Sequence, residues 1–146
     1  MATSVMHLFT FISVVSVMLS PAAYATPGTA TFYTNYVPSA CYGDHDSGVM
    51  IAAASDPLWD NGAIQGRNQG GPGVEINPGS ATGAICGKTF TVKCTGPANP
   101  VPHPCTGESV TVKVVDHCPG CGGTLDLSKE AFKAIADPVA GIIKID

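Results

Sequence analysis

The sequence predicts a small all-β domain, a closed or nearly closed barrel with one short helix, and three observations lead there. Seventeen Gly and twelve Pro stand in 146 residues, against seven basic and eleven acidic side chains, which disfavours a helical bundle or coiled coil. Strict apolar–polar alternation occurs in short runs, the mark of half-buried strands, and turn residues separate those runs. Six Cys in so short a chain read as a disulfide framework.

The first strand falls at Thr29–Tyr33, a β-branched and aromatic run after Gly28, and the second at Val49–Ala53 after Gly48. Thr89–Cys94 alternates, as does Val110–Val114, which runs on into Val115-Asp116. Ser128 is placed to cap a helix whose Ala131, Phe132, Ile135 and Ala136 share one face until Asp137-Pro138 stops it. Ile142–Ile145 supplies the last strand. The stretch Gln65–Ser80, rich in Gly, Asn and Pro, is a loop by composition. Gly-Ala-Ile stands just before it at 62–64 and again just after it at 83–85. A short duplication explains that repeat, and the segment to about residue 84 reads as a tolerated surface insertion, since long loops cost little closure entropy.

Residues 1–25 hold no Asp, Glu, Lys or Arg and carry an apolar run from Leu8 to Leu19, followed by Ser20-Pro21 and Ala23-Tyr24-Ala25. This is the pattern of a secretory signal cleaved before Thr26; a membrane anchor needs roughly 20 apolar residues. The mature domain is then 26–146, a monomer in the extracellular space without a membrane segment. A net charge of −4 excludes a nucleic-acid binder that works by neutralising phosphates, and 45% hydrophobic residues exclude disorder.

Six motifs occur in order: Gly28-Thr29-Ala30-Thr31-Phe32-Tyr33, Ser39-Ala40-Cys41-Tyr42-Gly43, Leu58-Trp59-Asp60-Asn61-Gly62-Ala63, Cys86-Gly87 with Cys94 eight positions on, Val114-Val115-Asp116-His117-Cys118, and Leu125-Asp126-Leu127-Ser128 with Ala131-Phe132. Together they resemble the plant natriuretic peptides and blight-associated proteins of the expansin-like, endoglucanase-45-like secreted group, across residues 28–146. The resemblance implies a six-stranded double-psi β-barrel, secretion to the apoplast, and a non-catalytic role in water and solute homeostasis or stress response. It also implies the pairs Cys41–Cys86, Cys94–Cys105 and Cys118–Cys121; spacing alone leaves 15 pairings open.

Hydrolysis of a glycosidic bond needs a proton donor and a second carboxylate. In the related inverting endoglucanases the Asp matching Asp126 is the general acid, and the base is an Asp soon after the first-strand Tyr. Here Thr34-Asn35-Tyr36 follows Tyr33, so that base is absent. An acid without its base forgoes about 10²–10⁴-fold. Asp126 and Asp116 are therefore vestigial candidates, and no catalytic residue is expected; Asp116 at a strand end and Asp126 before a helix also have plain structural uses. The rival readings are a wall-polysaccharide hydrolase with Asp126 as acid and Asp116 as surrogate base, and a barwin- or kiwellin-like defence protein. Tyr33, Tyr36, Tyr42 and Trp59 are candidates to meet a glycan or a receptor, the expected partners being a wall polysaccharide or a cell-surface receptor. Cys118-Pro119-Gly120-Cys121 has the spacing of a redox motif without a thioredoxin-like context. A zinc site from Cys118, Cys121, His117 and His103 is set aside because an oxidising compartment favours a bridge. His45 and His103 are read as solvated, and neither metal nor cofactor is expected.

Overall fold

The computed structural model describes residues 25–60 and 85–146. The proposed signal (residues 1–24 of it) and the loop at 65–84 lie outside the described residues. Six strands are present: β1 (Gly28–Tyr33), β2 (Ile51–Ser55), β3 (Thr89–Pro97), β4 (Ser109–Cys118), β5 (Leu125–Ser128) and β6 (Ile143–Ile145). They close in the order β1-β5-β2-β4-β3-β6. Helix α1 (Lys129–Ile135) follows β5 directly, and a helical turn at 56–60 follows β2.

The barrel mixes parallel and antiparallel pairing. β1 runs parallel to β5 and β2 parallel to β4, whereas β2–β5, β3–β4, β3–β6 and β1–β6 are antiparallel. Parallel neighbours require the chain to cross over rather than turn back, and β1–β5 packs tightly where it does so. A Cβ on Gly123 would stand 3.0–3.2 Å from the backbone of Leu125, Thr29 and Thr31, so any side chain there would press on the backbone of both strands.

Alternation in β3 and β4 turns Val92, Cys94 and Val112 inward, where they meet Ala30, Ala52, Leu125, Leu127, Ile143 and Ile145, while Val114 packs with Ala54 and Ile85 in a second cluster. One end of this core is filled by α1. Its Ala131, Phe132 and Ile135 are buried, Ser128 Oγ accepts the Ala131 amide at 3.1 Å as the N-cap, and the Phe132 ring lies 5.0 Å from that of Phe32.

Two expectations need correcting. The second strand begins at Ile51, with Val49 and Met50 each 45% exposed in the bend that follows Gly48 at φ 80°, where the Met50 carbonyl still accepts the Lys113 amide of β4 at 3.0 Å. Cys118 and Cys121 are not bridged: Cys41 is joined to Cys86 and Cys94 to Cys105, and the last two cysteines are free thiols. Each sulfur has an oxygen to meet instead, Asp126 Oδ2 at 3.8 Å for Cys118 and the Gly123 carbonyl at 3.6 Å for Cys121.

Candidate functional site

The pairing register sets one row of side chains across four strands. Thr31 of β1 pairs with Asp126 of β5, Asp126 with Ala53 of β2, and Ala53 with Asp116 of β4. Residues in register project from the same face of a sheet, and here it is the outer face, opposite to the core residues Ala30, Ala52 and Leu125. Asp116 joins the row because of a break in β4. Ala52 pairs with Val114 but Ala53 with Asp116, so Val115 is an extra residue and the strand changes parity there. The consecutive valines Val114 and Val115, both buried, are the sequence trace of that bulge.

The small, buried Ala53 separates two carboxylates whose strands stand about 10 Å apart, two strand spacings. Their environments differ. Asp116 Oδ1 accepts the amide of Ala40 at 2.8 Å and that of His117 at 2.9 Å. It is held as a backbone anchor. Asp126 is half-buried, with Oδ1 accepting from the Thr31 hydroxyl at 2.6 Å and Oδ2 facing the Cys118 thiol. Burial raises its pKa, against the lowering effect of the Thr31 and Cys118 hydrogen bonds.

Tyr33, two residues after Thr31, is aimed at the same place. Its hydroxyl is buried without a hydrogen-bond partner among the described residues. Burial first, then the charges of Asp116 and Asp126, push its ionisation far above the usual tyrosine range, so it remains a donor without an acceptor. The Tyr36 ring meets Tyr33 edge-on at 5.2 Å, and its hydroxyl donates to Glu130 and accepts the Lys129 amide at 3.2 Å.

The other two aromatic candidates are engaged differently. Trp59 is half-buried against Ala54, Ile85 and Val114, and its ring stacks on His117 at 4.5 Å and 16°. One ring face is thus occupied by an imidazole. Tyr42 is exposed, with the Lys113 ammonium 4.9 Å from its ring centre. Among the described residues no group of three His, Cys, Asp or Glu could hold a metal ion, and His117 is turned to Asp56. No described helix is long and apolar enough to cross a membrane.

Asp56 ties the rim of the site together, accepting from Gly120 N at 3.0 Å through one oxygen and meeting His117 Nε2 at 2.8 Å with the other. The Gly120 amide, and then His117, hold its carboxyl below the usual range. A depressed carboxylate stabilises the fold above the ordinary carboxylate pKa and stops doing so as pH falls through the folded value. Asp56→Ala is therefore expected to lower the urea midpoint at neutral pH, with the gap to wild type closing as pH falls below about 4. An equal gap at acid and neutral pH would contradict this role.

Thr31 and Cys118 were not singled out from sequence as parts of the site. Their signal was period-two spacing, Thr31 with Tyr33 and Cys118 with Asp116, which puts each pair on one strand face.

Comparison with known proteins shows the family and the fold. A family model described as lytic transglycolase matches residues 51–146. A protein of Arabidopsis thaliana described as putative EG45-like domain containing protein 1 is 58% identical over 137 residues, covering 93% of each chain. The chain belongs to the EG45-like domain family. A second member, from Citrus jambhiri, is 53% identical over 88% of this chain and 85% of its own. The fold is that of an expansin barrel: the crystal structure of a point mutant of Clavibacter michiganensis expansin in complex with cellohexaose superposes with TM-score 0.53 at 28% identity. That match covers 84% of this chain and 48% of the expansin, so this chain spans about half of that protein's length.

Proposed function

We propose that this EG45-like protein acts outside the cell without catalysis, and that the furrow between Asp126, Ala53 and Asp116 binds a β-linked wall glucan weakly. The observation that supports this reading is the unequal state of the two carboxylates. Asp126 is held only by two side-chain donors that a sugar hydroxyl can displace, Thr31 and Cys118, and the Tyr33 hydroxyl has no partner among the described residues, while Asp116 is bound to two backbone amides and Thr34-Asn35 occupies the position where the related endoglucanases hold their base. The expansin in complex with cellohexaose supports the choice of ligand. The resemblance to plant natriuretic peptides supports a finer reading, a systemic signal in water and solute homeostasis that meets a cell-surface receptor.

Affinity electrophoresis through gels containing soluble β-glucans tests the binding. Wild type is expected to be retarded, and Asp126→Ala to lose about tenfold in affinity, the effect of one hydrogen bond to a charged group. No retardation by any wall glucan would remove the reading.

One observation favours a second reading, a glycan-cleaving enzyme. The row that sets Asp126 and Asp116 two strands apart, with only Ala53 between, gives a backbone spacing close to that at which inverting hydrolases hold two carboxyls about a water. The lytic transglycolase description of the matching family model points the same way.

A further inference from the structure

The expected third bridge and the observed thiols meet at a carboxylate. Cys118 and Cys121 bracket the turn Pro119-Gly120, which closes through Cys121 N donating to the Cys118 carbonyl at 3.4 Å, with Gly120 at φ 69°. Asp56 fixes that turn from outside through Gly120 N. The two thiols are near neighbours across this turn, and both cysteines are half-buried, within reach of a small reagent. Cys118 also holds the outer oxygen of Asp126. Thus Asp126 has one donor on each oxygen, Thr31 on Oδ1 and Cys118 on Oδ2.

We propose that Cys118 and Cys121 are a redox modification site for a low-molecular-weight disulfide, and that closing their bridge removes from Asp126 Oδ2 the S–H donor it has in the dithiol form. Redox state then acts directly on the acid of the furrow.

The chemistry is thiol–disulfide exchange. Burial, Cys121 and Asp126 push the Cys118 thiol up to about 12, so Cys118 stays protonated near neutral pH, and Cys121, whose sulfur faces the Gly123 carbonyl rather than a carboxylate, makes the first attack. The Cys121 thiolate displaces one thiolate from the reagent and leaves a mixed disulfide. Cys118 then gives up its proton and attacks the Cys121 sulfur, releasing the second half of the reagent. Two cysteine thiols are oxidised, one external disulfide is reduced to two thiols, and the cysteines' two protons end on those thiols. The other groups facing Asp126 are the Tyr33 hydroxyl from β1 and, beyond it, the Asp116 carboxylate from β4 and the Tyr36 hydroxyl. None of them loses a proton in the exchange.

The loss of a donor to the charged form makes a carboxylate harder to ionise. The experiment uses the folded mature domain in oxidised and in reduced glutathione, with free thiols counted by alkylation and mass spectrometry. The Asp126 carboxyl carbon is followed by NMR against pH in both states. Oxidation is expected to remove two thiols, at Cys118 and Cys121, and to raise the Asp126 midpoint by about half to one pH unit, the scale of a weak sulfur donor. Where reduction also opens Cys41–Cys86, Cys118→Ala and Cys118→Ser make the same comparison with that bridge intact. The alanine variant is expected to titrate like the oxidised protein, and the serine variant, which keeps a donor, like the reduced one. Two thiols that persist in oxidised glutathione would overturn the proposal, as would an Asp126 midpoint equal in both states or in both variants. No glucan enters the measurement, so its failure is distinct from failure of the binding reading.

Discussion

Phe132→Ala is expected to lower unfolding stability by about 3–5 kcal/mol, the range for a large aromatic removed from a closed core. Phe132 has no exposed surface and is the largest fully buried side chain of the described residues. It enters from α1 at the end of the barrel and packs on Phe32. Backbone hydrogen bonds on all sides keep a closed ring of strands from collapsing into the space left behind. Domains of this kind have about 5–15 kcal/mol in total, so the loss is a large fraction of it. Urea denaturation measures it directly, and Phe132→Leu, which leaves less empty volume, is expected to fall well short of the alanine effect. A loss below about 1 kcal/mol would mean that α1 is not part of the core.

The second large effect concerns the two bridges. In the chain-entropy model, the Cys41–Cys86 bridge, closing 45 residues of sequence, stabilises by about 4 kcal/mol and Cys94–Cys105, closing 11, by about 3. Double serine replacement of the first pair is thus expected to cost more than that of the second, by about 1 kcal/mol in paired denaturation curves. The first bridge also touches the site. Cys41 N donates to the Val115 carbonyl at 3.0 Å, and Gly87 N to that of Val114 at 2.8 Å, so both bridge ends are laced to the bulge that aims Asp116. The neighbouring Ala40 amide binds Asp116 itself. Losing Cys41–Cys86 should therefore perturb amide resonances around Ala40 and His117, while losing Cys94–Cys105 leaves them in place. The reverse order of stabilities would contradict the chain-entropy account.

The strands whose two faces differ were legible in the sequence. Val92 and Cys94 in β3 and Val112 and Val114 in β4 alternate with exposed neighbours, which is the signal that period-two patterning carries. β2 gave no such signal, since all five of its residues are buried, and its apolar run extended into Val49 and Met50 without a break in composition. β5 is four residues long, three of them buried, and runs straight into a helix, so its residues looked like an approach to the Ser128 cap. Parallel pairing was beyond local pattern altogether, because it joins residues 95 apart, as in Thr31 with Asp126.

The same limit governs the site. Asp126, Asp116 and Tyr33 were found through motif resemblance, and the structure brings them together. Trp59 was read as a candidate to meet a glycan or a receptor, and one face of its ring is taken by His117, a partner 58 positions away in sequence. Cys118 was assigned wholly to a bridge, which hid its second contact with Asp126. A cysteine two residues after a strand-end carboxylate lies on the same face, and that spacing was the available clue.

The central claim is that the furrow binds without cutting, and release of reducing ends from a soluble β-glucan tests it most directly. Wild type and Asp126→Asn are incubated with the polymer at a glucan concentration at which wild type is retarded on affinity gels. The account predicts that neither protein releases reducing ends above the blank. Sustained turnover by wild type, lost in Asp126→Asn, would contradict it and make Asp126 a working acid.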